Sequence, residues 1–192
     1  MRFLKIFCGS VFICTVLYLI CFSAEGSIYG DVLRMHVIAN SDSENDQKIK
    51  MEVRDMIIEK YGRELSAFSD KEGALRAAQS MLSEIENEVN TYLSTRATYS
   101  CSVVIEDSYF PTKSYGDYSL PQGKYTALCI KLGKAKGQNF WCVLFPPLCL
   151  GASTKAPEEL FVDCGIDKDE YELMKGEKPV YRLKFRVLEL LN

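Results

Sequence analysis

The single histidine of this 192-residue chain, His36, stands shortly before Ser41 and Asp42. A histidine, a serine and a carboxylate are the parts of a nucleophilic hydrolase. Such a site works only if the imidazole reaches the serine and the carboxylate holds the imidazole, and the G-x-S-x-G turn that exposes many such serines is absent. Chemistry by His36 with Ser41 or Asp42 is therefore the alternative reading, not the leading one. Asp42, Glu44 and Asp46 form a second constellation, D-x-E-x-D, which lacks the turn glycine and the later bidentate glutamate of a calcium loop. Acidic residues that open a helix are accounted for by the helix dipole. Gly116, Gly123, Gly133 and Gly137 do not follow the phosphate-cradling G-x-G-x-x-G pattern. Past residue 100 the cysteines are Cys101, Cys129, Cys142, Cys149 and Cys164. None stands at C-x-x-C spacing from another, and one histidine cannot complete a zinc set with them. Cys142 and Cys149 bracket Pro146-Pro147 and form either a disulfide or two buried thiols. No cofactor and no metal are expected.

The elements that would position these groups follow from periodicity. Leu33, Met35 and Val37 alternate with Arg34 and His36, which predicts a strand over 32–39. Asn40-Ser41-Asp42-Ser43 ends it, and Ser43 with Asp46 three residues on marks a helix start. Ile49, Val53, Met56, Ile57 and Tyr61 make one apolar stripe, with Gly62 as the expected stop. A second start at Ser69-Asp70-Lys71-Glu72 opens a longer helix with Ala74, Ala78, Met81, Leu82, Ile85, Val89 and Leu93 on one face. From Tyr99 the period changes to two, giving a strand through Ile105, and Phe110–Tyr118 reads as a loop closed by Pro121 and Gly123. Strands over 124–132 and 139–145 follow, joined as a hairpin by 133–138. A short helix near 167–174 is expected, and at 181–187 an edge strand, with a helix after Pro179 as the other choice.

Arg2 and Lys5 precede an uncharged, mostly apolar run from Ile6 to Phe22, the pattern of an export segment. Its 17 residues approach the ~20 that span a bilayer, so it is either a cleavable signal peptide or an anchor formed by residues 6–22. Residues 1–24 carry only those two charges, so the remainder holds 21 of the 23 basic residues and all 26 acidic ones, moving the net charge from −3 to −5. That balance argues against a nucleic-acid partner. The expected organisation is an N-terminal signal peptide or anchor over 1–26 and a single extracytoplasmic α+β domain over 27–192. The domain would be an antiparallel sheet of four to five strands with two long amphipathic helices packed on one face.

Three segments resemble the stage II sporulation protein R family. They are Leu33-Arg34-Met35-His36-Val37-Ile38-Ala39-Asn40-Ser41-Asp42-Ser43 with Asp46-Gln47 and Val53-Arg54-Asp55; Phe110-Pro111-Thr112-Lys113-Ser114-Tyr115-Gly116-Asp117 running into Leu120-Pro121 and Gly123-Lys124-Tyr125; and Gly133 through Cys149 with Phe140-Trp141-Cys142-Val143-Leu144-Phe145-Pro146-Pro147. Phe140 stands where a second tryptophan is expected, and the chain departs from the family's continuation after Cys149. The resemblance implies a signalling protein rather than an enzyme. It would be exported from the forespore into the intermembrane space, or anchored in the forespore membrane. There it would activate a membrane-embedded aspartic protease of the mother cell that processes the sigma-E precursor. Its contact residues are expected among Asn40, Ser41, Asp42, Tyr115, Asp117, Tyr118, Pro146 and Pro147. The competing function is a cell-wall hydrolase or transferase in the same compartment using His36.

Overall fold

The computed structural model describes residues 2–22, 30–65, 67–115, 118–147 and 174. Helix α1 (Arg2–Phe22) contains no acidic residue in its first turn, and its described large apolar side chains, Phe7, Val11, Phe12, Ile13, Val16 and Leu17, are exposed. Among the described residues no helix is long and apolar enough to cross a membrane.

The domain is α+β, built on β1 (Leu33–Ile38), α2 (Glu44–Leu65), α3 (Lys71–Leu93), β2 (Cys101–Phe110), β3 (Lys113–Tyr115), β4 (Tyr118–Leu120), β5 (Gly123–Leu132) and β6 (Asn139–Phe145). Four strands form one sheet in the order β2-β5-β1-β6, and β3 with β4 forms a separate two-stranded hairpin. Helix α2 starts where Ser43 Oγ accepts the backbone N–H of Asp46 at 3.2 Å. At α3 the cap is Asp70, which accepts the N–H of Gly73 at 2.7 Å. Each side chain satisfies a donor that the first helical turn leaves unpaired. Gly62 does not stop α2, because Leu65 three residues on is buried and holds another turn in place.

Both helices cover one face of the sheet. Leu33, Met35 and Val37 of β1 meet Ile49, Val53 and Ile57 of α2 and Ala78, Met81, Ile85 and Val89 of α3, together with Leu128, Ile130 and Leu132 of β5. Fully burying a side chain of this size contributes about 1.5–3 kcal/mol, so this layer supplies most of the domain's cohesion. The opposite face is buried as well. Phe110, Tyr118, Leu120, Tyr125, Ala127, Cys129, Val143 and Met174 form a second cluster, roofed by the β3–β4 hairpin. The segment expected as a loop thus contains two short strands, because Ser114 and Ser119 pair through their hydroxyls at 2.8 Å and Tyr115 stacks on Tyr118 at 5.7 Å.

Two details of the sheet differ from the periodicity reading. The sheet is mixed, not antiparallel: β1 runs parallel to β5 and antiparallel to β6. Nor do β5 and β6 form a hairpin, since β1 lies between them. The connection 133–138 therefore crosses the C-terminal end of β1, a span of two strand spacings, roughly 10 Å. Its backbone donors find β1 partners in place of a hairpin mate. Gly137 N–H donates to Ala39 O at 2.9 Å and Lys136 N–H to Asn40 O at 3.3 Å. The strand or helix expected at 181–187 lies outside the described residues. Of the expected helix near 167–174 only Met174 is described, helical and buried in the second cluster.

The crossing depends on Gly137, where an added Cβ would sit 2.2 Å from the carbonyl oxygen of Ser41, whereas one at Gly30 would meet nothing within 4 Å. Gly137→Ala is expected to cost about 1–3 kcal/mol through displaced backbone, read from urea unfolding, with Gly30→Ala as the near-neutral control.

Candidate functional site

Two polar constellations lie at opposite ends of β1. Asn40, Ser41 and Asp42 follow its C-terminal end, and Asp46, in the first turn of α2, is buried beside them at 6% exposure. Asn40 Nδ2 donates to Asp46 Oδ2 at 2.8 Å, the Ser41 hydroxyl donates to the same oxygen, and the Tyr99 hydroxyl donates to Oδ1 at 2.6 Å. Burial alone would raise the Asp46 pKa, but the hydrogen bonds from Ser41, Tyr99, Asn40 and Ser43 outweigh it and hold the carboxyl below its ordinary value. Burial and the Asp46 carboxylate push the Tyr99 phenol the other way, up. The remaining polar atoms face the crossing loop. Lys134 N–H donates to Asn40 Oδ1 at 2.9 Å and Gln138 N–H to Asp42 Oδ1 at 2.7 Å. Lys50 adds a further tie, donating to Gln47 Oε1 at 2.6 Å and to Gln138 O at 3.3 Å. Every member has a structural partner, so this end of the strand is a knot joining β1, α2 and the loop. The D-x-E-x-D carboxylates do not converge on a cation, and among the described residues no three histidine, cysteine or acidic groups could hold one.

The other constellation comes from the residues of β1 that point away from the helices. Arg34 is fully buried. Its guanidinium carbon lies 4.1 Å from the ring centroid of Phe110, 4.8 Å from that of Tyr125 and 5.8 Å from that of Tyr115. Nη2 donates to the Tyr115 hydroxyl, Nε reaches Cys142 O at 3.5 Å, and Nη1 has no hydrogen-bond partner. Burial lowers the Arg34 pKa, with the nearby Tyr115 and Tyr125 hydroxyls working against it.

His36, two residues on, is 8% exposed and lies between Phe110 at 5.5 Å and Trp141 at 5.9 Å, centroid to centroid. Its Nε2 is 3.0 Å from Asn139 Oδ1, which makes Nε2 the donor and leaves Nδ1 without a partner. Burial is the main cause of its lowered pKa. The imidazole is therefore engaged far from Ser41, whose hydroxyl serves Asp46, and from Asp42, which serves Gln138. Among the described residues no Ser–His–Asp site is assembled. The described buried thiols are protonated: burial pushes Cys101 up to about 12 and raises Cys129, which removes the thiolate that a cysteine nucleophile needs.

The residues singled out from the sequence therefore divide between the two ends. Asn40, Ser41 and Asp42 belong to the knot. Tyr115 lies over Arg34 at the other end with Tyr118 stacked on it, and β6 stops at that end, before buried Pro146 and half-buried Pro147. Six residues of strand at ~3.3 Å each put roughly 20 Å between Arg34 and Asn40, so no single surface patch centres on both groups. Asp117 and Cys149 lie outside the described residues. Cys142 is buried and disulfide-bonded. Periodicity alone missed Arg34, Phe110, Tyr125, Asp46, Tyr99 and Asn139. The available signal was aromatic density in 109–125, which only a covered second face could bury.

A family model described as stage II sporulation protein R matches residues 29–155. Among curated proteins, Stage II sporulation protein R of Bacillus subtilis (strain 168) is 39% identical over 118 residues, which cover 61% of this chain and 53% of the relative. The match thus spans about half the length of that relative. No solved structure matches.

Two titrations follow. The folded-state pKa of His36 is depressed, so the unfolded chain takes the proton first and stability falls as pH drops from 6.5 toward the folded value. With one histidine in the chain, NMR titration should give a single imidazole transition below 6.5. Asp46 is a depressed carboxylate, so its contribution is present above 3.8 and lost as pH falls through its folded value. Asp46→Asn should cost about 1–3 kcal/mol at neutral pH and flatten the acid limb of the stability curve.

Proposed function

The chain belongs to the stage II sporulation protein R family, and from that premise we propose that it is an exported sporulation signal that switches on a partner rather than a catalyst. Its receiver is a membrane-embedded aspartic protease of the mother cell, which then processes the sigma-E precursor. The chain reaches the space between the two membranes by way of residues 1–26, either released after cleavage or held in the forespore membrane. The basic start of α1 at Arg2 and Lys5 and its exposed apolar side chains from Phe7 to Leu17 support export.

One observation carries the non-catalytic reading. The only imidazole is sealed between Phe110 and Trp141 with Nε2 committed to Asn139, so a cell-wall hydrolase built on His36 with Ser41 or Asp42 would have to dismantle both ends of β1. The contact surface is the end of the domain that holds Tyr115, Tyr118, Pro146 and Pro147, together with Asp117. Asn40, Ser41 and Asp42 act indirectly, by fixing β1.

The test is reconstitution in a non-sporulating cell that expresses the protease and its precursor, with this chain exported, retained in the cytoplasm or absent. Precursor processing is expected with the exported chain alone, and His36→Gln should keep at least half of that activity once its folding is verified. Processing that ignores this chain, or that vanishes in a folded His36→Gln protein, would overturn the proposal.

A further inference from the structure

Arg34 is a buried cation with no matching anion among the described residues. The ion pairs among the described residues involve Lys48, Arg54, Lys60 and Lys131, not Arg34. Aromatic faces, the Tyr115 and Tyr125 hydroxyls and one carbonyl surround it instead, and Nη1 is left without a partner. A guanidinium taken out of water is costly unless its donors are filled, and its fork of N–H groups matches a carboxylate best. Aromatic faces offset part of that cost but accept no in-plane N–H.

The surroundings extend the same demand. Trp141 Nε1–H on the same face is also buried without an acceptor. Lys113 holds its ammonium 4.4 Å from the Trp141 ring centroid and is likewise absent from the ion pairs. In a chain of net charge −3, this end of the sheet gathers two cations and an unfilled indole donor that no ion pair among the described residues satisfies.

What covers Arg34 is slight. Strands β3 and β4 have three residues each and pair only with each other, and so short a hairpin holds little stability of its own. Its tie to the cation is the Tyr115 hydroxyl, which takes the Arg34 Nη2 donor and itself reaches Trp141 O at 3.5 Å.

We propose that the space beneath the β3–β4 hairpin is a carboxylate-binding site, in which an incoming carboxylate displaces the Tyr115 hydroxyl and accepts from Arg34, with Lys113 at the rim. The hairpin is the cover that moves, and Arg34 is the specificity-determining residue. The site stands on the orphaned donors and does not require the signalling role, so its test needs neither the protease nor its precursor.

Trp141 is the only tryptophan of the chain, which makes its fluorescence a direct reporter. Full-length chain in detergent would be titrated at constant ionic strength with sodium acetate against sodium chloride. A parallel titration would compare acetyl-Gly-Glu-Gly-amide with acetyl-Gly-Gln-Gly-amide. A saturable change in Trp141 emission, with a rise in Tm, is expected for acetate or the glutamate peptide and not for chloride or the glutamine peptide. A response to the peptide alone assigns the carboxylate to a polypeptide, and a response to acetate alone assigns it to a small free acid. Arg34→Met should abolish the response. Tyr115→Phe, which removes the competing hydroxyl and leaves Arg34 in place, should tighten it severalfold and keeps the test decisive if Arg34→Met fails to fold. No saturable response in the wild-type chain, or an unchanged one in both variants, would overturn the site.

Discussion

The whole domain hangs on β1 being an interior strand crossed at its end. A chain that continued from β5 straight into an adjacent β6 would need only a turn. Here β6 is placed on the far side of β1, so the connection has to pass over Ala39, Asn40 and Ser41 and lie against their backbone. Three things make that approach possible: Gly137 has no Cβ, Gly133 adopts φ +55, and the Asn40 and Asp42 side chains accept the loop's N–H groups. Asp46 stands behind this arrangement as a buried carboxylate filled by donors from Asn40, Ser41 and Tyr99. In a low-dielectric interior a fully satisfied carboxylate rigidifies its neighbours, whereas a partly satisfied one would be a liability.

β1 is buried on both faces because the helices cover one and the β3–β4 hairpin roofs the other, and the second face explains the surroundings of Arg34 and His36. The helices take Leu33, Met35 and Val37, and alternation sends Arg34 and His36 to the opposite side. On an exposed face those two would be solvated and unremarkable. Under the β3–β4 hairpin, Arg34 depends on Phe110, Tyr115 and Tyr125, and His36 on Asn139 and Trp141. Burial lowers the pKa of both. Among the described residues the knot end is saturated and the hairpin end keeps unfilled donors, and the proposed division between structure and contact rests on this asymmetry.

Much of the layer facing the helices was legible in the sequence because each element there has one apolar side, and stripes such as Ile49, Val53 and Ile57 state it directly. The α+β class, both long helices and the end of β6 before Pro146 follow from such local signals. Strand order did not follow, because the 133–138 segment reads the same whether its strands pair with each other or straddle a third. The second core was hidden for a related reason. Arg34 and His36 satisfy the alternation of a half-exposed strand, and only the tertiary roof from Lys113 to Leu120 turns their side inward. His36, Ser41 and Asp42 looked like neighbours because they are close in sequence, but a strand separates residues at its middle from those past its end by its full rise.

The most direct test of this division of labour is hydrogen–deuterium exchange on the full chain with and without membranes carrying the protease. Binding is expected to change exchange in 113–120 and at the Phe145 end of β6, and to leave 133–138 as protected as before. Changes confined to 133–138 or to the outward faces of α2 and α3, with the hairpin untouched, would contradict it.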